Sequence, residues 1–211
     1  MKKTVKIPKM HITIPIAAVL ILLIIAGVFL LPQKSEPGSG TALLAGKHYV
    51  QIDIADYGTI TAELDADTAP ITVTNFMKLT EEGFYNGLTF HRIISGFMIQ
   101  GGDPNGNGTG GSDQKIKGEF KANGIENDLA HDRGVLSMAR SMANDSASSQ
   151  FFIMHEKAPH LDGQYAAFGR VLTGMEVVDA ICEKVPVTDS NGTVTKANQP
   201  VITSIKRIEK P

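Results

Sequence analysis

The sequence contains no tryptophan, and aromatic residues make up only 6% of its 211 positions, so its interior must rest on Val, Ile, Leu, Met and nine Phe. A single cysteine, Cys182, excludes an internal disulfide framework and a zinc site built from several thiolates. It reads as a small packed apolar residue rather than a nucleophile. No acidic residue precedes Glu36, and the only charges ahead of Lys34 are Lys2, Lys3, Lys6 and Lys9. Without those four lysines, 16 basic residues face 22 acidic ones, a net of -6. A mildly acidic body of this kind is a poor partner for nucleic acid. Motifs for covalent or metal chemistry are missing too: there is no Gly-x-Ser-x-Gly elbow, no His-Glu-x-x-His and no paired cysteine. His11, His48, His91, His131, His155 and His160 lack the close helical pairing of a metal site. No metal or organic cofactor is expected, and no internal repeat is visible.

What is present begins with an apolar run. Residues 12–31 carry no charge, include Leu20 to Ile25 as an unbroken aliphatic stretch, and follow the lysine cluster. Twenty helical residues span about 30 Å, the thickness of a bilayer core. Positive flanks stay in the cytoplasm, which predicts a cytoplasmic basic segment over 1–11, a transmembrane signal anchor over 12–31 and the remainder outside. Pro32 to Pro37 offers no small-x-small cleavage site, so an uncleaved, single-pass anchor in the cell membrane is favoured over a secreted product. Ala42 to Gly46 remains a site for late cleavage. Residues 32–46, rich in Pro, Gly, Ser and Thr, read as a flexible linker. The lysine-flanked anchor and lone cysteine suit a bacterial envelope protein.

From His48 onward the period changes to two. Val50, Ile52 and Ile54 alternate with Gln51 and Asp53, Asp56-Tyr57-Gly58 makes a turn, and Thr59 to Leu64 returns. Asp67-Thr68-Ala69-Pro70 reads as a helix start, capped by Asp67 or Thr68, and Val73, Phe76, Met77 and Leu79 recur at helical spacing until Gly83. Further strands are predicted over 134–139, 150–154, 166–171 and 201–208, with a second helix over 175–183. The frequent glycines between them favour tight turns and a mainly β domain over 47–211. Gly101 to Gly111 tempts one towards a phosphate cradle, but no Lys-Ser or Lys-Thr follows and no helix begins there, so it reads as a long structured surface loop.

The most informative stretch is Phe90 to Asp103. Phe90–Ile94 and Phe97–Gln100 read as the strands of a hairpin turning at Ser95-Gly96. Arg92 and Gln100 stand among Ile93, Phe97, Met98 and Ile99, setting a cation and an amide beside apolar surface.

Phe90-His91-Arg92 with Gly96 to Asp103, then Gly134 to Ala139, Ser149 to Ile153, and Leu161-Asp162-Gly163 with Phe168-Gly169, resemble the cyclophilin signature in order and spacing. The resemblance covers about residues 49–208. It implies an eight-stranded antiparallel closed β-barrel capped by two α-helices, and peptidyl-prolyl cis/trans isomerase activity on proline-containing polypeptides; a monomer is expected. Rotation about an X-Pro bond is opposed by amide resonance, a barrier of about 18–20 kcal/mol, and needs no covalent intermediate. By resemblance Arg92 is the catalytic donor, Gln100 holds the substrate backbone and His91 lines the site. Phe97, Met98, Phe152 and Leu161 then form the proline-ring pocket. The sequence departs from the family at His160, where tryptophan is common, at Tyr165, often histidine, and at Arg140, often asparagine after Ala139. These three residues, together with Ala139, border the expected substrate path. The competing class is a proline-peptide binding module or holdase that uses the same pocket without turnover, and catalytic rate separates the two.

Overall fold

The computed structural model describes residues 42–211. The basic segment, the proposed anchor and the linker up to residue 41 lie outside the described residues. Among those described, no helix is long and apolar enough to cross a membrane. The elements are β1 (Lys47–Ile54), β2 (Gly58–Asp65), α1 (Pro70–Glu81), β3 (Phe90–Ile94), β4 (Met98–Gly101), β5 (Val135–Met138), β6 (Phe151–Met154), β7 (Ala167–Thr173), α2 (Met175–Lys184) and β8 (Ile202–Ile208), with three single-turn 3-10 segments.

All eight strands join one antiparallel sheet in the order β3-β4-β6-β5-β7-β2-β1-β8. Its two terminal strands form no ladder with each other. The first residue of each strand and the residues leading into the other supply the closure instead: Gly87 N–H donates to Ile202 O at 2.8 Å, Ile202 N–H to Leu88 O at 2.8 Å, and Phe90 N–H to Pro200 O at 3.0 Å. Closure by lead-in segments still occupies backbone groups that would otherwise leave open edges. The expected closed barrel is therefore an eight-stranded sheet rolled nearly shut and stitched across its seam, with α1 packed on β8 and β2 and α2 on β2 and β3.

Side chains alternate between the two faces of the sheet, as a period of two requires. On β6, Phe151 and Ile153 enter the main core, whereas Phe152 and Met154 enter a separate apolar cluster. The main core centres on Phe76 of α1, whose ring lies 5.0, 5.3 and 5.2 Å from those of Tyr85, Phe151 and Phe168. The second cluster joins Met98, Val135, Phe152, Leu161 and Ala167, with Phe97, Ala139 and Tyr165 at its border. It is this outer cluster that carries the candidate site.

Two local predictions are corrected. Helix α1 begins after Ala69 with no side-chain cap from Asp67 or Thr68. Asp67 is engaged instead by Gly46 N–H at 2.7 Å. The first-turn amides are satisfied from 48 residues away, where buried Glu119 accepts from Ile71 N–H at 2.9 Å and Thr72 N–H at 2.7 Å. The linker also ends earlier than residue 46: Leu44 packs on the core and its N–H donates to Thr74 Oγ1 at 2.8 Å.

Candidate active site

The hairpin β3–β4 pairs Arg92 directly with Gln100. Its turn closes through Phe97 N–H to Ile94 O, with Gly96 at φ +77, a backbone conformation that glycine adopts without strain. His155 holds this turn in place, since Gly96 N–H donates to its Nδ1 at 2.8 Å and its Nε2 faces Asp179 at 3.2 Å. Phe97, at the end of the turn, thereby gains a fixed position outside the sheet.

Phe97, Met98, Phe152, Leu161, Tyr165, Ala139, His160, Arg92, Gln100 and Arg140 all line one cavity of about 510 Å³. Met98, Phe152 and Leu161 are buried and form its apolar base. The Tyr165 ring meets Phe152 edge-on, and His160 stacks on Phe97 at 5.7 Å. Beneath Phe152, the buried His131 ring stacks at 6.1 Å, with Nδ1 2.9 Å from Asp162 Oδ1 and Nε2 3.0 Å from Ser137 Oγ. Burial pushes the His131 imidazole below its usual pKa, against the opposing pull of Asp162. The floor of the cavity thus rests on a neutral, fully hydrogen-bonded ring.

Arg92 stands half-buried at the rim. Its Nε–H donates to Asn191 O at 2.8 Å and one Nη1–H to Gln100 Oε1 at 3.2 Å, which leaves three of its five N–H groups without a protein partner among the described residues. Burial lowers its pKa while Tyr165 and Asp189 raise it, and a guanidinium remains cationic throughout. Gln100 is oriented in turn: its Nε2 donates to Gln150 Oε1 at 2.9 Å, and Gln150 Nε2 donates to Gly110 O at 2.7 Å and Gly108 O at 3.1 Å. Gln150 went unassigned in the sequence, although it lies two residues before Phe152.

The glycine-rich loop finds its purpose here. Asp103, 1% exposed, accepts from the N–H groups of Asn105, Asn107 and Gly108 at 2.8, 3.0 and 2.6 Å. Burial would raise its pKa, but these donors outweigh burial and hold the carboxyl below the usual range. The loop ends on the carbonyls that grip Gln150. It is a brace for Arg92 and Gln100 rather than a phosphate cradle.

Two predicted site residues are placed differently from expectation. His91 is buried, lies outside the lining of the ring cavity, and has no hydrogen-bond partner for either nitrogen. Burial first, and Arg92 next to it, depress its pKa against the attraction of Asp103. Arg140 does line the cavity, but its donors serve the protein: Nε and Nη2 bond Gln164 O, Nη1 bonds Ser141 O and Met142 O, and the guanidinium lies 4.8 Å from the Tyr165 ring and 5.0 Å from that of Phe120. It acts as a clamp between two loops more than as a free cation.

A cavity with an apolar base and a partly unpaired guanidinium at its rim is suited to gripping a substrate and polarising it. Residues 49–207 match the family model described as cyclophilin type peptidyl-prolyl cis-trans isomerase, and the chain belongs to that family. It is 50% identical over 123 residues to peptidyl-prolyl cis-trans isomerase B of Bacillus subtilis, covering 58% of this chain and 82% of that one. Over 113 residues it is 52% identical to a peptidyl-prolyl cis-trans isomerase of Synechococcus elongatus, covering 54% and 73% of the two chains. Among solved structures, a cyclophilin type isomerase of Cryptosporidium parvum superposes with a TM-score of 0.69 at 32% identity, over 79% of this chain and all of that one. The same relative, crystallised in the presence of the dipeptide Ala-Pro, gives a TM-score of 0.67.

Proposed function

We propose that this chain catalyses cis/trans isomerisation of X-Pro bonds with Arg92 as the residue that stabilises the twisted state. The ring of the substrate proline enters the pocket of Phe97, Met98, Phe152, Leu161 and Tyr165, where apolar contact fixes it in place. Gln100 holds the neighbouring main chain. As the C–N bond twists, resonance is lost, the nitrogen pyramidalises and its lone pair becomes available. An Arg92 N–H donating to that lone pair stabilises the twisted state far more than either planar isomer, which is the differential binding that lowers a barrier. The observation that carries this reading is the half-buried guanidinium, with three N–H groups unpartnered among the described residues, at the rim of a cavity whose base is the apolar set Met98, Phe152 and Leu161. The Ala-Pro dipeptide present with the Cryptosporidium relative supports it. His91, outside the pocket, has no direct part in bond rotation.

Removing one preorganised donor costs about 100-fold or more in rate. Arg92→Ala should therefore reduce kcat/KM on an Ala-Pro peptide by about 100-fold while changing peptide affinity less than threefold, measured by a coupled isomerisation assay and by titration. Equal losses in rate and affinity would sink this role for Arg92.

We further propose that residues 12–31 tether the domain to the outer face of the cell membrane, where secreted chains meet it as they fold. Uncatalysed X-Pro isomerisation takes tens to hundreds of seconds, long enough to limit folding and prolong exposure of aggregation-prone chains. Support comes from the uncharged apolar run and its lysine flank. The full chain should stay with membranes through a high-salt wash; recovery of a soluble form that starts near residue 43 refutes the tether.

A further inference from the structure

A second cavity, of about 460 Å³, lies on the other side of the Arg92–Gln100 pair, and these two residues belong to the walls of both. Its character is opposite to that of the ring pocket. Asn105, Asn107, Asn191, Thr193 and Lys196 line it, and His91 contributes to its wall. Arg92 and Lys196 bring two positive charges, and no Asp or Glu is among the lining residues. The acids closest to these groups are already engaged. Asp103 is saturated by three loop N–H groups, and Asp189 accepts from the backbone of Thr193, Asn191 and Gly192. Lys196 makes no ion pair among the described residues, and the side-chain nitrogens of Asn107 and Asn191 donate to no protein group. Donors are thus concentrated around this space, with Arg92 and Lys196 in its wall and the carboxylates of Asp103 and Asp189 outside its lining.

We propose that this cavity is a substrate subsite for an acidic side chain lying two or three residues from the proline. The inference rests on the reading that the proline ring occupies the neighbouring apolar pocket. An extended chain advances about 3.3–3.6 Å per residue, so two or three residues carry it past the shared Arg92–Gln100 wall. A carboxylate supplies acceptors to the free amide nitrogens and a charge to Lys196 and Arg92. A polyanion is disfavoured, because the chain beyond the N-terminal lysines carries a net charge of -6. The cavity therefore selects single acidic residues in the polypeptide substrate and biases which X-Pro bonds the enzyme turns over.

The test uses peptides with one Ala-Pro bond and Glu, Gln or Lys at the second or third residue on either side. Affinity and kcat/KM are measured for the wild-type chain, Lys196→Gln and Lys196→Glu at low ionic strength. At one position the Glu peptide should exceed its Gln counterpart by about two- to fivefold, the range of a partly exposed ion pair. Lys196→Gln should bring that ratio close to one, and Lys196→Glu should invert the preference towards the Lys peptide. Each ratio is taken within one variant, so a loss of folded protein cancels. A Glu-to-Gln ratio of one at every position in the wild type, or a ratio that Lys196→Glu leaves unchanged, overturns the subsite. A failure of the isomerase reading looks different: no peptide is accelerated, while the affinity ratios still decide the subsite.

Discussion

Replacing Gln150 with leucine tests whether the catalytic guanidinium depends on its supporting shell. The side chain makes three hydrogen bonds, one from Gln100 Nε2 and two to the carbonyls of Gly108 and Gly110. A half-buried neutral hydrogen bond contributes about 0.5–1.5 kcal/mol, so losing all three in Gln150→Leu should destabilise the fold by about 1.5–4.5 kcal/mol. The catalytic effect follows separately. Without Gln150 the Gln100 amide is free to flip, and Arg92 then faces an N–H where it now meets an oxygen at 3.2 Å. If the lost orientation is worth about 1 kcal/mol, kcat/KM falls about fivefold, since each 1.36 kcal/mol is tenfold. Gln150→Glu separates the two ends of the side chain: a carboxylate still accepts from Gln100 but opposes the two glycine carbonyls. It should retain more of the activity than leucine does while losing comparable stability. The assays are isomerisation kinetics below the unfolding midpoint together with urea denaturation of each variant. A leucine variant with unchanged kcat/KM, despite measurable destabilisation, would show that Arg92 does not need the brace.

Acid should weaken the fold through its buried histidines. His91 and His131 both have folded pKa values below the unfolded value of about 6.5, so the unfolded chain binds more protons there and stability falls as pH drops below about 6.5. Thermal unfolding between pH 7.5 and 5 should show this fall, with a shallower slope in His131→Gln; a midpoint that stays flat or rises towards pH 5 contradicts it. Glu119→Gln removes one of the two carboxylate oxygens that cap α1 and turns an amide nitrogen towards a backbone N–H. Its expected cost is about 2 kcal/mol by urea unfolding, and a loss below about 0.5 kcal/mol would show that the remote cap is dispensable.

Helix α1 and strands β1 and β2 were legible from their hydrophobic period, and Pro70 and Gly174 mark where the two helices begin. The ring-pocket residues were legible only through the family resemblance, because Phe152 and Leu161 look like ordinary core to any local pattern. What stayed hidden depends on long-range pairing. No local signal joins Glu119 to Ile71 or Gln150 to Gly110, and the cap expected from Asp67 fails because Gly46 claims that carboxylate. His91 illustrates the converse. The register shifts between Phe90 and Arg92, and His91 borders only the polar cavity, whereas Arg92 reaches both cavities. Arg140 could be placed near the site by position, but its two aromatic partners come from separate loops, and their convergence is a property of the fold.

The arrangement also explains why a cation sits beside apolar surface at little cost. A half-buried guanidinium loses hydration, and its desolvation is repaid only where donors find partners. Arg92 satisfies two of its five N–H groups with the protein and keeps the rest facing the two cavities. Full pairing would stabilise the hairpin but leave nothing to donate to a pyramidal nitrogen, and no pairing would let the side chain swing into water. The Gln100–Gln150 brace on one side and the Asn191 carbonyl on the other hold the group between those extremes. The same partial satisfaction gives the polar cavity its charge. Bond rotation and selection of the flanking residue would then draw on a single guanidinium, so a substitution at Arg92 must alter both, whereas one at Lys196 alters selection alone.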